Sequence, residues 1–263
     1  MRIATWNINS VRLRIGLVER FLEEHKPDVL CLQETKTPDE FFPRDAFAAR
    51  GYRHQHILGM KGYNGVAILS RVPLATPGHK HWWEKEDCRH IFAQLPNGTE
   101  IHCCYVPAGG DIPDPKANIK FAHKLGFLDE MTAWWQGRKD KNKSKILVGD
   151  LNVAPLENDV WSHKQMLGVV SHTPVEVEKL TAWQKAHEWH DAVRHFTPHD
   201  QKLYSWWSYR AADWNASDRG RRLDHIWVTP DLAPALKKAD ILRPARGWEP
   251  KPSDHVPVMI DIA

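Results

Sequence analysis

Five short segments of this chain set an acid, an amide or an imidazole against an apolar run. They are IATWNINS with Asn7, VLCLQETK with Glu34, ILVGDLN with Asp150 and Asn152, RLDHIWV with Asp224, and SDHVPV with Asp254 and His255. Short apolar runs of this kind read as buried strands, and a polar residue at the run's end is delivered to a sheet edge, where clefts form. Because the segments reach from Asn7 to His255, the whole length must close around one cleft. We therefore read residues 1–263 as one domain, with 42% hydrophobic residues to build its core.

The periodicity predicts strands at 2–8, 28–34, 52–57, 65–70, 89–95, 99–106, 145–150, 224–229, 239–243 and 256–262. Val11, Ile15, Val18 and Leu22 recur at helical spacing, with Asn9 and Ser10 as candidate N-caps and Pro27 as the break. Phe121, Leu125, Leu128, Thr132 and Trp135 mark a long second helix. Thr173-Pro174-Val175-Glu176 is a capping box with proline at the first helical position, opening a helix that should bury Val177, Leu180 and Trp183. Asn97-Gly98 between two strands favours a type I′ hairpin. Short strands with an antiparallel hairpin and interspersed helices predict an α/β fold, two sheets packed face to face with helices outside. RIATWNIN and KILVGDLN echo each other, as if two halves contributed equivalent strands.

Charge supports a polyanion partner only mildly, since 36 Lys+Arg against 33 Asp+Glu leave +3. The 13 Trp weigh more, because indole serves either as core filler or as a stacking surface. Cys31, Cys88, Cys103 and Cys104 lack C-x-x-C spacing, and the adjacent pair points to opposite faces of a strand. This argues against a disulfide framework or zinc site and for a reduced, cytoplasmic setting. No signal-like N-terminus or membrane-length apolar run is present.

Each polar residue has a structural reading beside the chemical one. Glu34 offers hard oxygen to Mg2+ or Mn2+, or is simply the surface partner of Lys36. Asp150 can orient or deprotonate a water and Asn152 can donate to a phosphate oxygen, or both make an Asx turn that caps the strand. His255 held by a carboxylate, with Asp224 the candidate, can donate to developing charge, or is a satisfied histidine. His54/His56 and His79/His81 read as surface pairs, and 137–145 (GRKDKNKSK) as a solvated loop. In YSWWSYR, Trp206 and Trp207 cannot both face one core, so one can project into a cleft beside the basic stretch SDRGRR.

Taken in order, N-I-N, L-Q-E-T-K, Y-V-P-A-G-G, G-D-L-N, W-W-S-Y-R, R-L-D-H and S-D-H-V-P resemble the bacterial exonuclease III family of apurinic/apyrimidinic endonucleases. That group lies within the endonuclease/exonuclease/phosphatase superfamily, and the resemblance covers almost the full chain. It implies a four-layer, deoxyribonuclease I-like sandwich of two mixed sheets flanked by helices. It also implies a Mg2+- or Mn2+-dependent phosphodiesterase acting on double-stranded DNA with abasic sites or 3′ ends; a monomer is the default expectation, since one chain completes the site. By matching motif, Glu34 is implied as metal ligand, with Asn7 beside it and Asp254 as a second metal-site or support residue. Asp150 is implied to activate water, Asn152 and Tyr105 to hold the phosphate, His255 to stabilise the transition state, and Asp224 to orient His255. Arg89, Trp206 and Trp207 are implied at the DNA. The alternatives are a phosphoinositide or sphingomyelin phosphodiesterase or phosphatase of the same superfamily, and a DNA-binding module without catalysis.

Overall fold

The computed structural model describes residues 1–138, 140 and 143–263. The strands in chain order are β1 (Arg2–Asn7), β2 (Val29–Gln33), β3 (His54–Leu58), β4 (Val66–Ser70), β5 (Ala75–His79), β6 (His90–Gln94) and β7 (Glu100–Tyr105). They continue with β8 (Lys145–Asp150), β9 (His190–Asp191), β10 (Trp206–Trp207), β11 (Gly220–Arg221), β12 (Asp224–Val228), β13 (Leu236–Ile241) and β14 (Val258–Ile262). The α-helices are α1 (Ile15–His25), α2 (Arg44–Ala48), α3 (Ile119–Gly137), α4 (His163–Met166), α5 (Pro174–Ala186) and α6 (Trp214–Ser217).

One six-stranded sheet has the order β13-β14-β1-β2-β4-β3, the other β5-β6-β7-β8-β12-β9. Strand faces explain the layers. Ile3, Val29, Cys31, Val66 and Ile68 of the first sheet meet Ile91, Ile101, Cys103, Ile146, Val148 and Ile226 of the second in one apolar interlayer. Their neighbours point outward: Ala4, Trp6, Leu30 and Leu32 pack on Leu17, Val18, Phe21 and Leu22 of α1. Cys104, Leu147 and Trp227 pack with Phe127, Leu128, Met131 and Trp135 of α3 and with Leu180 and Trp183 of α5. Both faces of the central strands are therefore buried, which is why they read as continuous apolar runs. The result is the expected four-layer α/β sandwich. All four cysteines are free, and Cys103 and Cys104 enter opposite layers.

The echo between the two halves is structural. β1 pairs parallel with β2 and antiparallel with β14, while β8 pairs parallel with β7 and antiparallel with β12. Thr173 Oγ1 accepts the Glu176 N–H and the Thr173 N–H donates in return to the Glu176 carboxylate, as the capping box predicts.

Other local expectations need correction. Asn9 and Ser10 do not cap α1: both take positive φ, and the helix begins after Arg14 without a side-chain cap. The β6–β7 hairpin is not type I′, which needs positive φ at both Asn97 and Gly98; only Gly98 has it (φ +86°). Pro96, with φ restricted to negative values, suits the first central position of a type I turn, and the Gly98 amide donates back to Leu95 O at 2.9 Å. In the 137–145 segment, Arg138 pairs with Glu100 at 2.9 Å and lies over the Trp134 ring, and Lys145 is buried; Lys139, Lys141 and Asn142 lie outside the described residues. The His56 ring bonds to Gly78 O at 2.8 Å, and His79 packs edge-on against His81.

Candidate active site

Parallel pairing puts the polar ends together. In β1–β2 Asn7 is in register with Gln33, so Asn7 and the next residue, Glu34, leave the first sheet at one edge. In β7–β8 Tyr105 is in register with Asp150, and antiparallel β12 starts with Asp224 opposite Asp150. Gly149, in front of Asp150, is required by this close approach rather than by a turn: a Cβ there would lie 1.8 Å from Cys104 O. His255 arrives from the segment before β14 and bridges to Trp206 of β10.

The side chains form one continuous network. Asn7 Nδ2 donates to Glu34 Oε1 and Asp150 Oδ2, both at 2.9 Å, and Tyr105 OH donates to Glu34 Oε1 at 2.8 Å. His255 Nδ1 meets Asp224 Oδ2 at 2.8 Å, and its Nε2 lies 3.7 Å from Asp150 Oδ2. Asn152, at φ +52°, gives its backbone N–H to Asp150 Oδ1 at 3.0 Å. Its amide donates to Val106 O at 2.8 Å and to Asp150 Oδ2 at 3.2 Å. The Asx-turn reading and the site reading of G-D-L-N therefore hold together. A phosphate reaches the Asn152 amide only by replacing one of those two acceptors.

Burial pushes the Asp150 carboxyl up to about 7, with the Asp224 charge acting in the same direction against His255 and Asn7. Burial disfavours the His255 imidazolium, but the Asp224 and Asp150 charges outweigh it and raise this group to about 10. Burial likewise opposes ionisation of Glu34, yet the Lys36 ammonium at 2.8 Å and the Asn7 amide hold its carboxyl below the ordinary value. Tyr105 is pushed well up by burial and then by Glu34 and Asp150, so it stays a neutral donor. The site thus joins a base near neutrality, a charged imidazole and an ionised glutamate.

The donor set fits a hard divalent cation. The oxygens supply it: Glu34 and Asp150 share the Asn7 amide, Asp150 and Asp224 offer oxygens within 4.8 Å of each other, and buried Asp224 Oδ1 has no hydrogen-bond partner among the described residues. His255, charged and bonded to Asp224, is a donor rather than a ligand. Asp254, expected as a second metal-site or support residue, accepts from Trp206 Nε1 at 2.9 Å and Asn9 Nδ2 at 3.2 Å.

The cleft has an apolar wall that includes Trp161, Met166, Val169, Val170, Trp206 and Leu223. Arg210, Arg219 and Arg221 line it too; Arg219 lies over the Trp161 ring at 4.7 Å and Arg221 over Trp206 at 4.9 Å. Trp206 is thus the indole that faces the cleft. Trp207, expected with it at the DNA, turns into the core and donates to Asp218 at 2.9 Å, because neighbours on a strand point to opposite faces. Arg89 is also largely buried, with its guanidinium over the Tyr105 ring at 4.8 Å and bonded to Asp87 and Tyr105 O. It braces Tyr105 rather than presenting a free charge.

The sequence left several contributors without a site role: Lys36 read only as a surface partner of Glu34, Asn9 only as a helix cap, and Ser205 as neither. Ser205 Oγ donates to Asp224 Oδ2 at 2.7 Å. Lys36 reaches Asn9 Oδ1 at 2.6 Å, so Glu34, Lys36, Asn9, Asp254 and Trp206 form one chain across the site. Arg221 was visible only as part of a basic stretch.

The model of the Endonuclease/Exonuclease/phosphatase family matches residues 4–255. Exodeoxyribonuclease III of Haemophilus influenzae is 30% identical over 270 residues, covering 98% of each chain. The DNA repair nuclease APEX1 of Danio rerio is 30% identical over 273 residues, spanning 100% of this chain and 82% of its own length. Among solved structures, an AP endonuclease from Archaeoglobus fulgidus has a TM-score of 0.90 at 33% identity, covering 100% of this chain and 99% of that one. A 3′-5′ exonuclease from Neisseria meningitidis has a TM-score of 0.91 at 30% identity, with the same coverage. The family match begins inside β1 and ends on His255, enclosing every residue of the network from Asn7 onward; this chain belongs to the Endonuclease/Exonuclease/phosphatase family.

Proposed function

We propose that this protein is a divalent-metal-dependent DNA repair phosphodiesterase, a 3′-5′ exodeoxyribonuclease and apurinic/apyrimidinic endonuclease acting on duplex DNA. The observation that carries this reading is the single network in which Asn7 joins Glu34 to Asp150 while Asp224 holds His255 against Asp150. The cleft around it has an aromatic, arginine-lined wall.

Phosphodiester hydrolysis needs an aligned water, neutralised phosphate charge and stabilisation of the charge that develops. Asp150, with its carboxyl raised toward neutrality, takes the proton of the attacking water. His255, kept charged by Asp224, donates to the phosphate oxygen as charge builds. Glu34, with Asn7 and Asp150 beside it, would hold Mg2+ or Mn2+, which would supply positive charge at the phosphate. Asn152 and Tyr105 orient Asp150 and Glu34 and reach a phosphate by exchanging one existing bond. Asp254 supports Trp206, which stacks at the lesion or the 3′ end. We take the working form to be a monomer, since one chain supplies the whole network.

End-labelled duplexes test this reading, one with an abasic-site analogue and one with a recessed 3′ end, each in Mg2+, Mn2+ or EDTA. Metal-dependent incision 5′ to the lesion and progressive 3′ shortening are expected. No cleavage of either duplex, with turnover of a phosphoinositide, would move the chain to the phosphatase branch.

Two substitutions dissect the site. Glu34→Ala should raise the Mg2+ needed for half-maximal cleavage by at least about tenfold; an unchanged metal titration would remove Glu34 from the ion. Trp206→Ala should weaken binding to the abasic duplex by about 1–3 kcal/mol and bind undamaged duplex almost normally. Equal losses on both would make Trp206 a packing residue.

A further inference from the structure

Behind the cleft lies a buried ion pair that the chemistry above does not use. Lys124 of α3 and Glu176 of α5 are both fully buried and bonded to each other. Lys124 Nζ also donates to Asn152 O at 2.7 Å and to Ala108 O at 3.3 Å, so all three of its N–H groups are engaged. Glu176 accepts from the Ser171 N–H at 2.9 Å on both oxygens, from the Thr173 N–H at 3.2 Å and from Thr173 Oγ1 at 2.6 Å. The pair therefore ties together the loops after β7 and β8 and the turn before α5.

Each loop ends at the site. Asn152 gives Asp150 both a backbone and a side-chain bond. Ser171 Oγ and Val170 O accept from Arg221 Nη1 at 3.0 and 3.1 Å, and Arg221 lies over Trp206. Gly109 fits the same arrangement: it takes φ +90°, and a Cβ there would lie 2.9 Å from Lys124 Cδ and 3.1 Å from Val170 Cγ1.

We propose that Lys124 and Glu176 are positioning residues for DNA cleavage, holding Asp150 through Asn152 and the Trp206 wall through Ser171 and Arg221. Stability alone gives little reason for such a pair, because desolvating two charges is costly and an apolar pair of similar volume often serves as well or better. An apolar pair cannot hold the Asn152 and Ala108 carbonyls. Since a displacement of about 1 Å in a reacting group can cost 10²-fold in rate, that restraint has catalytic value.

The proposal rests on the nuclease reading, and a double variant separates the two. Lys124→Met strands the Glu176 charge, so it should melt lower and lose about 10- to 100-fold in single-turnover cleavage of the abasic-analogue duplex, with affinity for undamaged duplex within about threefold. Lys124→Met combined with Glu176→Met removes both charges. It should regain melting temperature relative to the single variant while its cleavage stays at least about tenfold down. A stable double variant with wild-type turnover would overturn the proposal.

Hydrogen exchange supplies a readout that needs no substrate. Exchange over 150–154 and 169–173 should speed up about tenfold or more in the double variant, and unchanged protection there refutes the restraint whatever the enzyme cleaves. Should the Met variants not fold, Glu176→Gln keeps the shape and loses the charge. Slowed cleavage and faster exchange in the same two segments support the proposal, and wild-type values of both refute it. Wild-type protein that leaves every duplex intact in Mg2+ would instead refute the nuclease reading.

Discussion

Asp150→Asn should lower single-turnover cleavage by about 10²–10⁴-fold, the range for removing a positioned general base, and leave duplex affinity in EDTA unchanged or slightly tighter. Asparagine keeps the shape and one oxygen to accept the Asn152 N–H now bonded to Asp150 Oδ1. It cannot take a proton from water. The pH dependence carries the same assignment: wild-type activity should fall on the acid side as the Asp150 carboxyl becomes protonated, at a pH below the value of about 7 it has without the cation, whose charge lowers it, and the residual activity of the variant should lack that limb. Stability should move the other way. An acid whose folded-state pKa lies above its ordinary 3.8 subtracts stability as pH rises past that value, fully so above about 7. In Asp150→Asn the amide nitrogen faces the Asn7 and Asn152 amides that Oδ2 now accepts, so the expected signature in EDTA is the loss of this fall in melting temperature with rising pH rather than a higher melting point. Near-normal turnover in Asp150→Asn, or an acid limb left intact, would transfer the base role to another residue.

Much of the site was legible because a polar residue that stops a buried apolar run has few places to go. Asn7, Glu34, Asp150 and Asp224 each stand at such a stop, and the parallel pairings β1–β2 and β7–β8 bring those stops to the same edge. What stayed hidden has two physical sources. Elements that are exposed or too short to show a period leave no strand signature: β5, largely exposed and containing Pro77, and the two-residue strands β9, β10 and β11 are held by their neighbours rather than by their own pattern. Contacts between distant residues leave none either. Ser205 finds Asp224 and Lys124 finds Glu176 only after the sheets and helices have packed. Trp206 and Trp207 show the limit of periodicity: alternation requires them to face opposite ways, but which one meets the cleft is decided by Asp254 receiving the Trp206 N–H and Asp218 that of Trp207. The hairpin misled for a local reason: Pro96 has no N–H with which to pair to Thr99 across a two-residue loop, so Leu95 takes that bond and Pro96 enters the turn, where its φ suits the first central position.

Asp224→Asn should be nearly as damaging as loss of the base, although Asp224 acts only through His255. Asp224 Oδ2 accepts from Ser205 Oγ at 2.7 Å and faces His255 Nδ1 at 2.8 Å, so the amide can keep the packing while losing the charge. Burial by itself disfavours the imidazolium, and the Asp224 charge is the largest influence raising it to about 10. Without that charge His255 should be neutral at about pH 8, cleavage should fall by about 10²–10⁴-fold, and the high-pH limb of the rate profile should shift from near 10 to lower pH. Stability follows with a definite sign. A histidine whose folded-state pKa is raised contributes stability that is fully present below its ordinary 6.5 and is lost as pH climbs through about 10. The variant should thus melt below wild type at pH 6 and approach it above pH 10. If cleavage falls but the high-pH limb stays in place, the titrating proton does not belong to His255, and Asp224 would act by holding Ser205 and the start of β12 rather than by charging the imidazole.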